Sequence, residues 1–316
     1  MVTGAVWLDG VIVDAGEAKI SVFDHGLTVG DGVFETVKVI DRRPFALRRH
    51  IERLHRSAQG LGLDVPLSDT RLRAAVDEVL TAAEAQPGTT AAEGARSGRP
   101  GPERPGHEVP RSGNHAAGGP RSGRSARLRI TLTGGVAPPG SGRGTDGPTL
   151  IIAVAPLDPW EPDTVAVTVP WPRNERSAVT GLKTTSYAEN VVALAEARKV
   201  GATEAIMANL AGNLCEGTGT NVFVVRGGRL LTPPLLAGCL AGVTRALLLE
   251  QLPDADEENI PMAALADADE VLLTSSTRDV QPLRMLDGRE LPGIHGPVAK
   301  RAIDAIADLQ ARDLDP

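Results

Sequence analysis

Aromatic residues, cysteine and lysine are all scarce in this chain of 316 residues. Aromatic residues make up 3% of it, with a single tyrosine, and the two cysteines are Cys215 and Cys239. Two cysteines so far apart exclude a CxxC motif and a disulfide framework, and they favour a reducing compartment such as the cytoplasm. Of the 33 basic residues only five are lysines. A lysine outside an ordinary surface setting therefore stands out.

Several function classes are excluded by what is missing. No apolar run approaches 18 residues, so no membrane-spanning helix is expected, and the first 20 residues lack the basic start and apolar stretch of a signal peptide. The net charge of -7 argues against general nucleic-acid binding, because no basic field is present to neutralise phosphates. The glycine loops match neither GxxxxGK[ST] nor the full dinucleotide fingerprint. His107 and His115 have no metal-ligand context, and no metal site is expected.

Residues 86–125 do not follow the pattern of a globular domain. This stretch contains nine glycines, six prolines and six arginines, and no leucine, isoleucine or phenylalanine. Such a segment cannot bury enough apolar surface to offset the entropy lost on ordering. We predict a disordered insertion, solvated as a linker rather than bound to an acidic partner.

The remainder of residues 1–155 predicts a small α+β domain. Asp-Gly and similar turns between alternating apolar residues indicate two hairpins, and apolar residues at helical spacing indicate two helices before the insertion. Two more strands follow the insertion, and together these elements make one α+β domain. In chain order these elements are "AVWLDGVIVD", "TVGDGVFETVKVIDRRPFAL", "RRHIERLHRSAQGLGL", "SDTRLRAAVDEVLTAA", "ARLRITLTGG" and "TLIIAVAPL".

A proline-rich connector, residues 156–163, leads to a second predicted domain at residues 164–316. Strands alternate there with helices, which predicts a larger, mixed α/β domain. The predicted strands are "TVAVTVP", "EAIMANL", "NVFVVRGG" and "EVLLTSS". The predicted helices lie near 187–199, 242–252 and 296–311.

Four stretches of this second domain carry possible chemistry. "GLKTTSYAENVV" places Lys183 among small and hydroxyl residues before a helix, and "NLCEGTGTNVF" places Glu216 between a strand and a Gly/Thr loop. "LAGVTRALLLEQL" opens a helix at a Gly-Val-Thr turn, whose first amides are free to hold an anion. "LLTSSTRDVQP" ends a strand with the hydroxyl residues 274–277.

Together these stretches resemble the class IV aminotransferase signature of fold-type IV pyridoxal-phosphate enzymes. The signature runs from Glu216 through Asn221 and Phe223 to Thr232 and then "LAGVTR", ending at Arg245. "LKTTSYAENV", "VGDGVFET" and "HIERLHRSA" extend the similarity over nearly the whole chain outside the insertion. The resemblance implies a two-domain fold like that of D-amino acid aminotransferase, pyridoxal 5'-phosphate (PLP) as cofactor, and a homodimer.

The resemblance also implies residue roles. Lys183 would bond to the cofactor aldehyde and serve as the catalytic base, which requires a desolvated amine beside other positive charge. Glu216 would face the pyridine nitrogen of the cofactor and keep it protonated. The cofactor phosphate would contact Arg53, the amides and hydroxyl of Val243 and Thr244, and Ser276. Tyr187 would donate a hydrogen bond to the ring oxygen.

More ordinary interpretations exist for several of these residues. Thr244 could be a helix N-cap, Arg53 could be a surface helix residue in an ion pair, and the hydroxyls beside Ser276 could replace it. For the substrate pocket we predict Phe34, Thr36 and Lys38 on one strand, although Lys38 could instead face water. His50 is expected in helix packing or at the surface.

The reaction within the family is less constrained. Branched-chain enzymes carry a Tyr-x-Arg element where this chain has "ARLRITL", and D-amino acid transaminases carry a tyrosine where Phe34 stands. "VGDGVFET" is more similar to the aminodeoxychorismate lyases. We therefore predict a lyase that converts 4-amino-4-deoxychorismate to 4-aminobenzoate and pyruvate, a folate-precursor step. The alternative is an aminotransferase for D-amino acids or branched-chain amino acids.

Overall fold

The computed structural model describes residues 4–85 and 125–316. The predicted insertion lies outside the described residues except for Ser125, which begins a strand. The first described part and the strands that follow the insertion form one antiparallel sheet of six strands in the order β2-β1-β6-β5-β3-β4. Its strands are β1 (Ala5–Leu8), β2 (Val11–Asp14), β3 (Gly32–Ile40), β4 (Arg43–Pro44), β5 (Ser125–Thr133) and β6 (Thr149–Pro156).

Three helices accompany this sheet. Helix α1 (His25–Thr28) is a single turn, and α2 (Leu47–Gly60) and α3 (Asp69–Ala85) are long. Apolar residues of α2 and α3 pack on one face of the sheet and form its core, including Ile51, Leu54, Leu72 and Val76. Both predicted hairpins, both helices and both later strands of this region are confirmed.

Strand alternation decides which side chains face away from that core. On β5, Leu128, Ile130 and Leu132 are buried in the core, so Arg127 and Arg129 point to the opposite face. On β3, Val33, Val37 and Val39 are core residues, and Phe34, Thr36 and Lys38 point the other way. The second face of this sheet is therefore rich in polar side chains.

The second sheet has nine strands and is mixed. Its order is β12-β11-β10-β13-β14-β7-β8-β9, with β15 paired to β14; β7 lies parallel to both β14 and β8. The strands are β7 (Thr164–Thr168), β8 (Glu204–Ala208), β9 (Leu214–Gly217), β10 (Asn221–Arg226), β11 (Arg229–Thr232), β12 (Ala255–Glu257), β13 (Glu270–Ser275), β14 (Asp279–Leu286) and β15 (Arg289–Glu290).

Helices α4 (Ala188–Lys199), α5 (Val243–Gln251) and α6 (Pro297–Arg312) pack on this sheet. The three predicted helices and four predicted strands of this region are confirmed. Strands β9, β11, β12, β14 and β15 are not in the prediction, and Glu216 lies within β9 rather than between a strand and a loop. The mixture of an antiparallel and a mixed sheet confirms the predicted fold class, whereas the domain boundary at residues 156–163 stays a prediction.

Among the described residues, no helix is both long and apolar enough to cross a membrane. In the same residues no cluster of three or more histidine, cysteine or acidic side chains could hold a metal ion.

Candidate active site

A cavity of about 630 Å³ is lined by residues from both sheets. Phe34, Thr36 and Arg129 reach it from the first sheet, and Glu216 and Ser275 from the second. Lys183 and Tyr187 line it from the segment before α4. Nearly all of the predicted site residues thus meet in one place, although they come from distant parts of the chain.

The backbone of Lys183 is held by the first sheet and by α2. The carbonyl oxygen of Lys183 accepts a hydrogen bond of 2.9 Å from the Phe34 amide, and the next residue, Thr184, bridges to Val33. The Lys183 amide donates to Ser57 Oγ at 3.1 Å. These contacts fix the Cα of Lys183, so that only its side chain is free to sample the cavity.

The amine of Lys183 is in an environment that disfavours its charge. Its Nζ lies 4.4 Å from the ring centroid of Phe34 and 3.5 Å from the Tyr187 hydroxyl. Burial, and then the positive charge of Arg53, lower the pKa of Lys183 to about 8. About one tenth of the amine is therefore neutral at pH 7, which makes it available as a nucleophile and base.

Glu216 is a largely buried carboxylate with two partners. The amide of Leu240 donates to its Oε2 at 2.9 Å, and Arg173 Nε lies 3.0 Å from its Oε1. Burial raises the pKa of Glu216, and the charge of Arg173 opposes that rise. Burial, followed by the charge of Glu216, raises the pKa of Tyr187 to about 12, so that phenol stays protonated. Arg173 was not predicted from the sequence.

The N-terminus of α5 opens onto the cavity. Gly242 is its N-cap residue and provides no capping side chain, so the first amides of the helix are available to an anion. A Cβ at Gly242 would lie 1.9 Å from Asn221 Oδ1, so a larger residue here would displace the Asn221 side chain. Val243 and Thr244 of the first turn line the cavity, and their contact with a phosphate stays a prediction.

Arg53 is a buried residue of α2 and also lines the cavity. Its guanidinium donates to both oxygens of Glu35, at 2.8 and 2.7 Å, and to the carbonyl oxygen of Ala241 at 2.9 Å. The alternative of Arg53 as a surface residue is wrong. His50 is buried too, with its Nδ1 2.7 Å from Glu35 Oε2 and its Nε2 3.3 Å from Ser276 Oγ. Neither Glu35 nor the role of His50 was predicted.

Two arginines of β5, Arg127 and Arg129, line the cavity without having been predicted. The guanidinium carbon of Arg129 lies 3.2 Å from the ring centroid of Phe34, and its Nε donates to Thr131 Oγ1 at 3.3 Å. Burial lowers the pKa of Arg129 to about 10. Among the described residues, no carboxylate forms an ion pair with either arginine. The alternation of apolar residues in "ARLRITL" could have predicted that Arg127 and Arg129 share one face of a strand. It could not have predicted that this face lines the cavity.

Lys38 is the exception among the predicted pocket residues. Phe34 and Thr36 line the cavity, but Lys38 does not. Its amine instead pairs with Asp279 at the start of β14, and Gln310 donates to the other oxygen of Asp279 at 2.7 Å. The side chain of Lys38 reaches across to the second sheet because it lies two residues beyond Thr36, near the end of β3.

This geometry can be compared with known proteins. The family model described as amino-transferase class IV matches residues 32–286. The chain belongs to the class IV aminotransferase family, whose members are PLP-dependent enzymes.

Individual relatives cover almost the whole chain. A protein of Methanocaldococcus jannaschii, provisionally assigned as a branched-chain-amino-acid aminotransferase, is 30% identical over 97% of this chain and 96% of its own length. The aminodeoxychorismate lyase of Bacillus subtilis is 26% identical over 89% of this chain and 86% of its own.

A solved structure extends the similarity to the fold. The branched-chain aminotransferase of Thermoproteus uzoniensis, determined with norvaline, is 29% identical to this chain. The two superpose with a TM-score of 0.78 over 97% of this chain and 94% of the other.

Proposed function

We propose that this enzyme is an amino-acid aminotransferase, with branched-chain amino acids as the first candidate substrates. The observation that carries the proposal is Lys183, a partly buried amine that lies beside the Phe34 ring and the Tyr187 hydroxyl and has a pKa of about 8. The cavity around it also holds a carboxylate, a helix N-terminus and two arginines that have no carboxylate partner among the described residues. The similarity to the branched-chain enzymes of M. jannaschii and T. uzoniensis supports the choice of reaction.

The donor set of the cavity fits PLP along its length. Arg53, the first amides of α5 at Val243 and Thr244, and the Ser276 hydroxyl would hold the phosphate, because cations and free helix amides favour an anion. Glu216 would face the pyridine nitrogen, and the protonated Tyr187 would donate to the ring oxygen. Lys183, which lines the same cavity beside Tyr187, would bond to the aldehyde.

When bound, PLP supplies an electron sink for the carbon that carries the substrate amine. Lys183 would supply the base: its neutral amine would take the proton from that carbon and release it at a second carbon, as amino transfer requires. Burial of Lys183 favours the neutral form. Arg173 orients Glu216 through the contact at 3.0 Å and stabilises its negative charge, so that the carboxylate can keep a ring nitrogen protonated.

The substrate carboxylate needs a cationic partner near Lys183. Arg129 meets this need, because its guanidinium lies over the Phe34 ring on which the Lys183 amine also rests, and no carboxylate of the described residues competes for it. Arg127 lies two residues away on the same strand face and also lines the cavity. We assign Arg129 to the carboxylate and place Arg127 and Thr36 beside it.

The aminodeoxychorismate lyase is the second candidate, supported by "VGDGVFET" and by the B. subtilis relative. Both reactions use the same base to remove the same proton, and they differ in the step after that removal. The aminotransferase is the first choice because the similarity to branched-chain enzymes is higher and covers more of the chain.

One experiment separates the two candidates. The purified holoenzyme is mixed with L-valine, L-leucine or D-alanine, and conversion of the cofactor to its amine form is followed with release of the oxo acid. A parallel reaction contains 4-amino-4-deoxychorismate. Amino transfer without 4-aminobenzoate supports the proposal, whereas equimolar 4-aminobenzoate and pyruvate would replace it by the lyase.

Lys183→Ala is the control for this experiment. We expect it to lose the borohydride-reducible chromophore and at least about 10²–10⁴-fold in rate, the range for loss of a general base. A yellow, reducible adduct that persists in this variant would contradict the role of Lys183.

We also propose a cytoplasmic homodimer of two-domain subunits. Both cysteines are free and buried, which suits a reducing compartment.

The dimer is supported by exposed apolar side chains that cluster around α1, where the Asp24 backbone bridges to Val136. They are Val22, Phe23, Leu27, Val29 and Val136. A second copy would cover such a patch. Analytical ultracentrifugation of wild type and Leu27→Asp tests this, and a wild-type monomer would contradict it.

A further inference from the structure

The Glu35 carboxylate points to the face of its strand that is covered by the hydrophobic core, away from solvent. It lies on β3 between the core residues Val33 and Val37 and is itself fully buried. An isolated charge in such a place is costly, so its retention depends on the partners it finds. Those partners are Arg53 and His50, three residues apart on the facing side of α2.

Glu35 makes three polar contacts with its two partners. Arg53 donates to both of its oxygens from Nε and Nη2, in the parallel fork that suits a guanidinium and a carboxylate. His50 Nδ1 makes a third contact, at 2.7 Å. Burial alone would raise the pKa of Glu35, but the charge and hydrogen bonds of Arg53 and those of His50 outweigh it and hold that pKa well below its usual range. Glu35 is therefore ionised.

Glu35 is linked to the cavity by two routes, one through Arg53 and one through His50. Arg53 lines the cavity and also donates to the Ala241 carbonyl oxygen, next to the N-cap of α5. His50 Nε2 lies 3.3 Å from Ser276 Oγ, which lines the cavity from the end of β13. Glu35 itself does not line the cavity. One buried carboxylate thus connects residues contributed by β3, α2 and the turn after β13.

We propose that Glu35 is the positioning residue of the phosphate subsite: it fixes the guanidinium of Arg53 and, through His50, the hydroxyl of Ser276. The inference depends on the proposed function, because it takes Arg53 and Ser276 as phosphate ligands. The fork with Glu35 leaves Arg53 one rotamer, with its remaining N–H groups available to the cavity. A phosphate then binds donors that are already in place.

A different account would give Glu35 only the role of neutralising Arg53. The two accounts differ for Glu35→Asp, which keeps the charge but withdraws the oxygens by about 1.5 Å, one carbon–carbon bond. Positioning predicts weaker phosphate binding in this variant, whereas neutralisation predicts no change. Neutralisation also predicts that Glu35→Gln binds a phosphate more tightly, because a nearby negative charge is removed.

The experiment compares two ligands that share the aldehyde. Apoprotein, as the full chain, is titrated with PLP and with pyridoxal, which lacks the phosphate. We expect Glu35→Asp to weaken PLP binding about tenfold, the loss expected for one charge-assisted hydrogen bond, and to change pyridoxal binding less than about twofold. His50→Asn, which keeps a donor towards Glu35 but loses the contact with Ser276, should weaken PLP by a smaller factor, about threefold.

Glu270→Asp is the matched control. Glu270 is also buried and accepts two amide hydrogen bonds, from Val298 and Ala299 at the start of α6, away from the cavity. It should lower stability without changing the ratio of PLP to pyridoxal affinity. Thermal unfolding of each apoprotein checks folding.

Two outcomes would overturn the proposal: an equal loss of PLP and pyridoxal affinity in Glu35→Asp, or wild-type PLP affinity in Glu35→Asp. Tighter PLP binding in Glu35→Gln would then assign Glu35 to neutralisation of Arg53. The ratio does not involve amino transfer. A wild-type protein that binds PLP through this subsite but transfers no amino group would therefore contradict the proposed function and leave the role of Glu35 standing.

Discussion

Arg53 and Arg129 line the same cavity but are held in opposite ways. Arg53 forms a fork with the buried Glu35 and a further bond to the Ala241 carbonyl oxygen. The guanidinium carbon of Arg129 lies 3.2 Å from the centroid of the Phe34 ring, and no carboxylate among residues 4–85 and 125–316 pairs with it. Glu35 raises the pKa of Arg53 against the effect of burial, whereas burial lowers the pKa of Arg129.

The difference suggests a division of labour. A guanidinium locked by protein groups suits a ligand that stays in place, as a cofactor phosphate does, because no reorganisation is needed on binding. A guanidinium without a carboxylate partner suits a ligand that enters and leaves in each cycle, because its charge awaits a partner. Lys183 lies against the same aromatic ring as Arg129, and the charges of Arg53 and Arg129 both help to lower the pKa of its amine.

The largest expected effect is that of replacing Arg53. Arg53→Leu would leave Glu35 as a buried carboxylate without its guanidinium, and we expect a loss of about 3–5 kcal/mol in the free energy of unfolding. Arg129→Leu removes a charge on which no carboxylate of the described residues depends, and should change that free energy by less than about 1 kcal/mol. Urea denaturation of the apoproteins measures both. Equal losses in the two variants would show that the arginines are not held differently.

The next effect concerns Lys183 and pH. Its pKa of about 8 lies below the ordinary 10.5, so below pH 8 the folded protein bears the full cost of burying an ammonium. Between about pH 8 and 10.5 the folded form has lost this proton while the unfolded form keeps it, and stability therefore rises with pH. The difference between the two pKa values corresponds to about 3 kcal/mol.

This linkage is measured by unfolding apoprotein across that pH range. Lys183→Met should be more stable than wild type near pH 7 by an amount that disappears as pH rises to about 10.5. Lys300→Met, at an exposed lysine of α6, is the control for loss of a lysine charge. A constant difference between wild type and Lys183→Met over this range would mean that the amine is not held in a charge-disfavouring site.

A smaller effect is expected on substrate binding when Arg129 is replaced. Arg129→Leu should raise the KM for an amino acid substrate by about 10- to 100-fold, because a charge-assisted hydrogen bond to the substrate carboxylate is lost, while PLP affinity stays near that of wild type. Arg127→Leu is the companion variant, with a smaller rise expected because its side chain is more exposed. A rise in KM confined to Arg127→Leu would transfer the carboxylate site to that residue.

Much of the fold could be predicted from the sequence because its signals are local. The Asp-Gly hairpin of β1 and β2 and the helical periodicity of α2 depend on residues close in the chain. Strands β9 and β14 were missed because "LCEG" is short and contains glycine, and β14 contains Pro282 and charged residues. Those two segments are strands because neighbours in the sheet supply the hydrogen bonds.

All of the long helices, most of the longer strands, the family and the choice of Lys183, Glu216 and the α5 turn as candidates could be predicted from the sequence alone, because a motif keeps its order along the chain. Only the tertiary structure decided which charges are paired. Glu35 and Arg53, Glu216 and Arg173, and Lys38 and Asp279 are each brought together from different elements. The stability of a buried charge depends on the distance to its nearest partner in space, and that distance is set only when the elements that carry the two groups have packed together.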